Sequence, residues 1–352
     1  MTRESKSMSI SRRSFLAGTA GVAASSLILP GMPAFAQGGG RVVVGTWGGD
    51  YARLLTENID QPIMNPLGYE IIQDQAGDPE RRAKMLAERR LPRGSIDTNA
   101  LQDSSMYQVF AQGLVEELDF DKIPNASKLL PNMRLPYGVP QIFSGMVLLY
   151  NPDKMDAPSA YADLFNPSKA SRIGIIDIQY RHNIAVASLI AGGSVTAVDK
   201  GKALLMELRK AGIRIYPTNE AFAQALQTEE IDGGPMWKAR SLQWQKAGIN
   251  VLAAVPSEGM VPYVSGFVIP KNAPNKDGAY AYLNALLEPE AQIGFAENMG
   301  YAGTTNVEMP KELQERVSFT PEQIEAMNPI DFEFFTKNDL DLKTWWDREF
   351  VG

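Results

Sequence analysis

The chain contains no cysteine and one histidine, His182. Without a thiol there is no disulfide, no thiolate nucleophile, no cysteine zinc site and no cysteine to carry a lipid anchor. A multi-histidine metal cluster is excluded as well. A Ser-His-Asp arrangement could form only around His182, where "YRHN" carries no nucleophile-elbow pattern. A lone histidine fits a hydrogen-bonded structural role, or a ligand donor whose affinity depends on pH. Long apolar runs are missing too: nothing beyond residue 36 reaches the roughly eighteen residues a membrane span needs.

What is present begins with an address. "SRRSFLAG" at 11–18 places paired arginines before Phe15 and Leu16, an Ala/Gly-rich apolar stretch follows, and "AFA" closes it at 34–36. This reads as a twin-arginine export signal over 1–36, removed on maturation, and predicts a soluble periplasmic protein that crosses the membrane already folded. Four of the 34 basic and one of the 41 acidic side chains lie there, leaving 30 against 40 and a net charge of −10. A chain this acidic repels a nucleic-acid backbone, so the basic run "RRAKMLAERRLPR" at 81–93 is expected to be a solvated helix face and no nucleic acid is expected as partner. The acidic "EELDFD" at 116–121 reads as a wetted loop. The mature 316 residues exceed what one core comfortably holds, so two lobes are expected.

Short β-rich runs alternate with helical patterns, which predicts an α/β fold. "RVVVGTW", "YEIIQD", "SIDTNAL", "GMVLLYN", "RIGIID", "IRIYP", "DGGPMW", "INVLAAVP" and "YVSGFVIP" read as strands. An amphipathic stretch runs from Tyr51 to Met64, and "GDPERRAKMLAERR" opens a helix with Asp78 as N-cap and Pro79 in its first turn. Met85, Leu86 and Leu91 read as core, and Trp345 and Trp346 as the docking face of the terminal helix with Leu342 and Phe350. Two crossings between lobes are expected, one just before "GMVLLYN" and one between "VLAAVP" and "FVIP". They divide the chain into 37–140 with 262–305 and 141–261 with 306–352.

"VVVGTWGGDY", "YGVPQIFSGMVLLYNPDKM", "AYADLFNPSKASRIGIID", "NEAFAQALQTEEIDGGPMW" and the run from "GFVIPKNAP" to "GYAGTTN" resemble, in that order, segments of the extracellular solute-binding proteins of ABC importers. The branch they are most similar to is the spermidine/putrescine-binding type, over about residues 41 to 310. The resemblance implies a two-lobed clamshell of the type II periplasmic-binding-protein kind with discontinuous lobes, a ligand held between them, no catalysis, no cofactor, no metal, and an inner-membrane permease as partner to a monomer.

It also implies where the ligand lies. Trp47 falls at the end of the first strand, where relatives pack an aromatic on the ligand, and Gly48, Gly49 and Asp50 follow it. Gly48 and Gly49 would let a ligand approach the backbone. Trp237 and Tyr263 match further aromatics, and Ser265 stands where polyamine binders carry an aspartate. In place of a carboxylate pair the chain offers Asp177, then Arg181 and His182, and Lys238 and Arg240 follow Trp237. Ser104 and Ser105 open a helix whose free N–H groups could meet an anion or simply be capped. Each departure makes the cleft less negative, so the expected solute bears an anionic group: a carboxylate, an amino-acid-like zwitterion or a phosphonate. A polyamine is the alternative. An exported hydrolase with paired carboxylates and a ligand-sensing receptor module are further classes, separated by turnover assays and by neighbouring permease genes.

Overall fold

The structure, a computed structural model, describes residues 39–130 and 133–352. The export segment over 1–36 lies outside the described residues. The chain runs β1 (Gly40–Thr46), α1 (Asp50–Leu55), β2 (Tyr69–Gln75), α2 (Asp78–Glu88), β3 (Thr98–Gln102), α3 (Asp103–Ala111) and the long β4 (Val139–Tyr150). Then follow α4 (Tyr161–Leu164), β5 (Gly174–Ile176), α5 (Tyr180–Gly192), α6 (Val198–Lys210), β6 (Arg214–Tyr216), α7 (Asn219–Gln227), β7 (Gly233–Trp237), α8 (Lys238–Lys246) and β8 (Leu252–Ala254). The last part comprises β9 (Val261–Val268), α9 (Lys276–Ala285), α10 (Pro289–Met299), β10 (Ala302–Gly303), α11 (Lys311–Val317), α12 (Pro321–Glu325) and α13 (Phe332–Trp345).

One mixed sheet has the order β10-β4-β9-β3-β1-β2. β1 is parallel to β2 and β3, while β9 is antiparallel to β3 and β4. β4 is the strand that joins everything. Val139 to Met146 pair with β9, and Met146 to Tyr150 pair with β7 and β8. All twelve of its residues are buried, as expected for a strand covered on both faces. A bulge between Pro140 and Ile142 shifts its register beside Gln141. β5 and β6 form a small parallel pair that bridges to β7 through Ile173 and Gly233.

Two large apolar clusters flank this arrangement. One gathers Val42, Val44, Leu54, Leu55, Phe267 and Tyr282. The other gathers Ile175, Ile184, Leu205, Phe222 and Met236. The C-terminal helix belongs to the second, and Trp346 and Phe350 are fully buried as the docking reading predicts. It also reaches α3, where Phe332 stacks on Tyr107 with ring centroids 6.1 Å apart.

The strand and helix readings hold along most of the chain, with specific differences. Asp78 is not the N-cap of α2; Gly77, in extended conformation, is. Asp78 instead accepts hydrogen bonds from Ser105 Oγ, Arg82 Nε and the Gln102 N–H, pinning α2 to the β3–α3 corner. The amphipathic stretch after Tyr51 does not stay α-helical: from Thr56 to Met64 the turns widen around Pro62, which has no N–H to give. Leu86 and Leu91 are exposed (43% and 51%) rather than core. Arg81, expected on a solvated face, is only 1% exposed.

Candidate functional site

The sequence around Trp47 builds a platform on β1. The chain turns out of the strand at Gly49, whose φ of 66° is the left-handed region that glycine adopts freely. A side chain on Gly48 would press against Gln75 Oε1 at 3.0 Å. Trp47 then packs edge-on against Tyr51, centroids 5.0 Å apart, and carries the Arg81 guanidinium over its ring at 4.6 Å. Arg81 is held by Asn99 Oδ1 at 2.9 Å and by the carbonyls of Ala76 and Ala100. This cation–π stack is desolvated, where such contacts are strongest. Asp50 points outward and pairs with Arg53 at 3.2 Å.

A second group of aromatics sits where β7, β9 and α5 converge. Trp237 at the end of β7 meets His182 edge-on at 4.7 Å and Tyr263 at 5.2 Å, and Tyr263 continues to Tyr301 at 6.0 Å. Residues two apart on a strand share a face, so Tyr263 and Ser265 point the same way, and their hydroxyls bond at 2.8 Å. Burial raises the Tyr263 phenol well above its ordinary range, so it serves as a neutral donor or acceptor. Among the described residues no aromatic pair joins Trp47 to Trp237 or Tyr263. The Tyr51 hydroxyl donates to Gln141 Oε1, and burial raises its own pKa.

The charges around this group are unequal. Arg240, one turn into α8, uses one guanidinium nitrogen on Gln243 Oε1 at 2.8 Å, and its buried Nε has no partner. Its charge acts on both Tyr263 and Tyr301. Gln141 Nε2 and His182 Nε2 are also buried without partners. Burial, then the nearby Arg181 charge, lowers the His182 pKa to about 4, so the imidazole is neutral at physiological pH. The acid in this region is Asp103. Its carboxylate accepts the N–H of Ser104 at 2.6 Å and of Val264 at 3.0 Å, and burial raises it to about 7. Both of its oxygens are therefore committed to the β3–α3 corner and β9.

Other candidates are occupied elsewhere. Arg181 forms a two-pronged bridge to Asp339 of α13, with Nε and Nη2 each 2.7 Å from a carboxylate oxygen. Asp177 accepts from Trp346 Nε1 at 2.7 Å. Lys238 turns away from Trp237, because consecutive residues at the strand-to-helix corner diverge. Its ammonium lies on the carbonyls of Glu315 and Ser318 and 4.8 Å over the Phe319 ring. Ser105 is bonded to Asp78. Ser104 is half-buried at the start of α3. The structure thus brings together His182, Trp237, Arg240, Tyr263 and Ser265, and places Asp177, Arg181 and Lys238 in contacts with the C-terminal part of the chain.

Sequence reasoning missed Tyr51, Arg81, Asp103, Gln141 and Tyr301. For Gln141 a signal existed: a proline inside an apolar strand pattern, "GVPQIF", marks a bulge that can re-aim its neighbour. Arg81 had none, since its run looks like any basic helix face.

The profile of the bacterial extracellular solute-binding protein family matches residues 65–321, and the chain belongs to that family. It is similar to the spermidine/putrescine-binding periplasmic protein of Escherichia coli, 28% identical over 222 residues that cover 59% of this chain and 62% of that protein. It is also similar to a gamma-aminobutyric acid-binding protein of Pseudomonas aeruginosa, 23% identical over 71% of this chain and 74% of that one. In fold it matches an ABC transporter structure from Clostridium perfringens with a TM-score of 0.77 and 25% identity, over 87% of this chain and 99% of that chain. The architecture is the two-lobed α/β clamshell of that class. The matched part spans about 62% of the length of the first curated relatives. Among the described residues no helix is long and apolar enough to cross a membrane.

Proposed function

We propose that this chain is a periplasmic solute-binding protein, exported by the twin-arginine route, that delivers a small polar solute bearing an anionic group to the permease of an ABC importer. It acts as a monomer and transforms nothing. The halves 37–140 with 262–305 and 141–261 with 306–352 close on the solute, which favours the shut form because only that form contacts it from both sides.

The observation that carries the reading is the unpaired, buried Nε of Arg240 beside Tyr263 and Tyr301. A guanidinium donor left without a partner is costly unless a ligand supplies one, and a carboxylate or phosphonate fits its planar fork. The acid of the same region, Asp103, already accepts two backbone N–H groups and is poorly placed to neutralise a di-cation. Trp237 and Tyr263 supply the stacking surface. The relative named for gamma-aminobutyric acid makes an amino-acid-like zwitterion the first solute to test.

A second reading, polyamine binding, is favoured by the 28% identity to the spermidine/putrescine-binding relative. A calorimetric and thermal-shift screen separates the two: gamma-aminobutyrate, simple carboxylates, amino acids and phosphonates are run against putrescine and spermidine. Stabilisation by the anionic set supports the first reading. Stabilisation by the polyamines alone overturns it.

A further inference from the structure

Helix α2 turns its charge inward and its apolar side chains outward. Asp78 and Arg81 are buried together with Met85. The opposite face, at helical spacing, presents Ala83, Leu86 and Ala87, all exposed, and Arg90 follows one turn on. Just beyond the helix Leu91, Pro92 and Arg93 are exposed as well. Leu86 and Leu91, at 43% and 51%, are among the large apolar side chains left in solvent. The solvent face of a helix is normally polar, so an apolar strip within a basic run calls for a partner.

The arginines around the strip are not neutralised. Among the described residues Arg89, Arg90 and Arg93 form no ion pair. Arg89 Nη1 donates to the Leu86 carbonyl at 2.6 Å. The nearby acids are engaged elsewhere: Glu88 accepts the Ser95 N–H at 2.9 Å and its hydroxyl at 2.7 Å, and the buried Asp97 accepts the N–H groups of Val43 and Asn275 at 2.7 and 2.6 Å. The turn is also stapled. Asn272 Nδ2 donates to the Glu88 and Leu91 carbonyls at 2.9 and 3.3 Å, and the Gly94 N–H donates to the Asn272 carbonyl at 2.8 Å. A partner therefore meets a preformed surface, at little ordering cost.

Charge complementarity selects the partner. The chain beyond residue 36 carries 30 basic against 40 acidic side chains, so an anionic surface repels the body as a whole and attracts this face. The outward alanines, leucines and proline offer no side-chain acceptor to set the register of a peptide. A bilayer surface needs no register: it takes apolar side chains at the acyl boundary and guanidinium groups on its phosphates. We propose that the segment from Ala83 to Arg93 is a docking face for an anionic phospholipid bilayer, on which the protein rests with Leu86 and Leu91 dipped between the headgroups. The inference goes beyond solute binding and stands whichever solute is bound.

Vesicle flotation with the mature chain tests this, using equal parts phosphatidylglycerol and phosphatidylcholine against phosphatidylcholine alone. Binding is expected on the mixed vesicles at low salt, with much weaker binding on the neutral ones, and release in salt high enough to shorten screening to about 3 Å. Joint Arg89→Gln, Arg90→Gln and Arg93→Gln substitution should lower the partition coefficient by about fivefold per arginine. Leu86→Ser with Leu91→Ser should weaken binding severalfold while keeping its salt dependence. All these side chains are exposed, so melting temperatures should stay at the native value. The proposal is overturned if the native chain ignores the mixed vesicles, if it binds both vesicle types alike, or if the arginine variant binds as the native chain does. Capture on immobilised polyglutamate without vesicle binding would assign the face to an acidic protein partner and equally overturn it.

Discussion

Arg181 and Asp339 join α5 to α13 through two parallel hydrogen bonds of 2.7 Å, and the Tyr180 hydroxyl donates to the same carboxylate. Burial alone would raise the Asp339 pKa, but the Arg181 and Tyr180 bonds outweigh it and hold the carboxyl below its ordinary range. Arg181→Ala leaves Asp339 half-buried without its counter-ion, and should lower stability in urea unfolding by about 1–3 kcal/mol. Arg181→Lys should recover only part, since an ammonium cannot make the fork-to-fork contact. Full stability in Arg181→Ala would show the bridge to be incidental.

Arg240 carries the solute argument. Replacing it with alanine removes the guanidinium and its unpartnered Nε, and affinity for an anionic solute should fall by roughly ten- to a hundredfold, the usual cost of a charge-assisted hydrogen bond. Calorimetry measures this directly, and an unchanged dissociation constant would remove Arg240 from the site.

His182 and Asp103 predict opposing pH effects. The folded His182 pKa of about 4 lies below its ordinary 6.5, so between these values only the unfolded chain takes up the proton, and stability rises with pH. Asp103, raised to about 7 from 3.8, keeps its proton longer when folded, so over pH 4 to 7 its contribution falls as pH rises. The native protein should show a shallow profile of melting temperature there. His182→Asn should tilt it downward with rising pH and Asp103→Asn upward. Identical slopes in all three proteins would contradict both assignments.

Lys238 should prove structural. Burial lowers its ammonium to about 8, so between pH 8 and 10.5 the folded chain holds fewer protons than the unfolded one and stability gains with pH. Lys238→Met should abolish that gain while leaving solute affinity within about twofold, as for substitutions remote from a site. A large loss of affinity would return Lys238 to the ligand.

The elements of the fold were legible because alternation, capping residues and glycines are local signals. "RVVVGTW" and "DGGPMW" became β1 and β7, and Trp345 and Trp346 dock as their spacing predicts. What escaped depended on distant partners. Nothing near Arg181 foretells Asp339, 158 positions away, and nothing near Lys238 foretells the end of α11. A basic residue next to a cleft aromatic reads as a ligand donor until the chain that folds over it is known. Arg81 escaped for the converse reason, since its partners Asn99 and Ala100 lie on a strand that its own helix covers.

β4 imposes a condition on how the chain could be divided. Its first half is hydrogen-bonded to β9 and β10 and its second half to β7 and β8. A genetic cut at either end of this strand would deprive one fragment of its central template, so the two pieces could regain structure only by complementing each other. Any single-residue deletion inside it would shift the register of several neighbours at once.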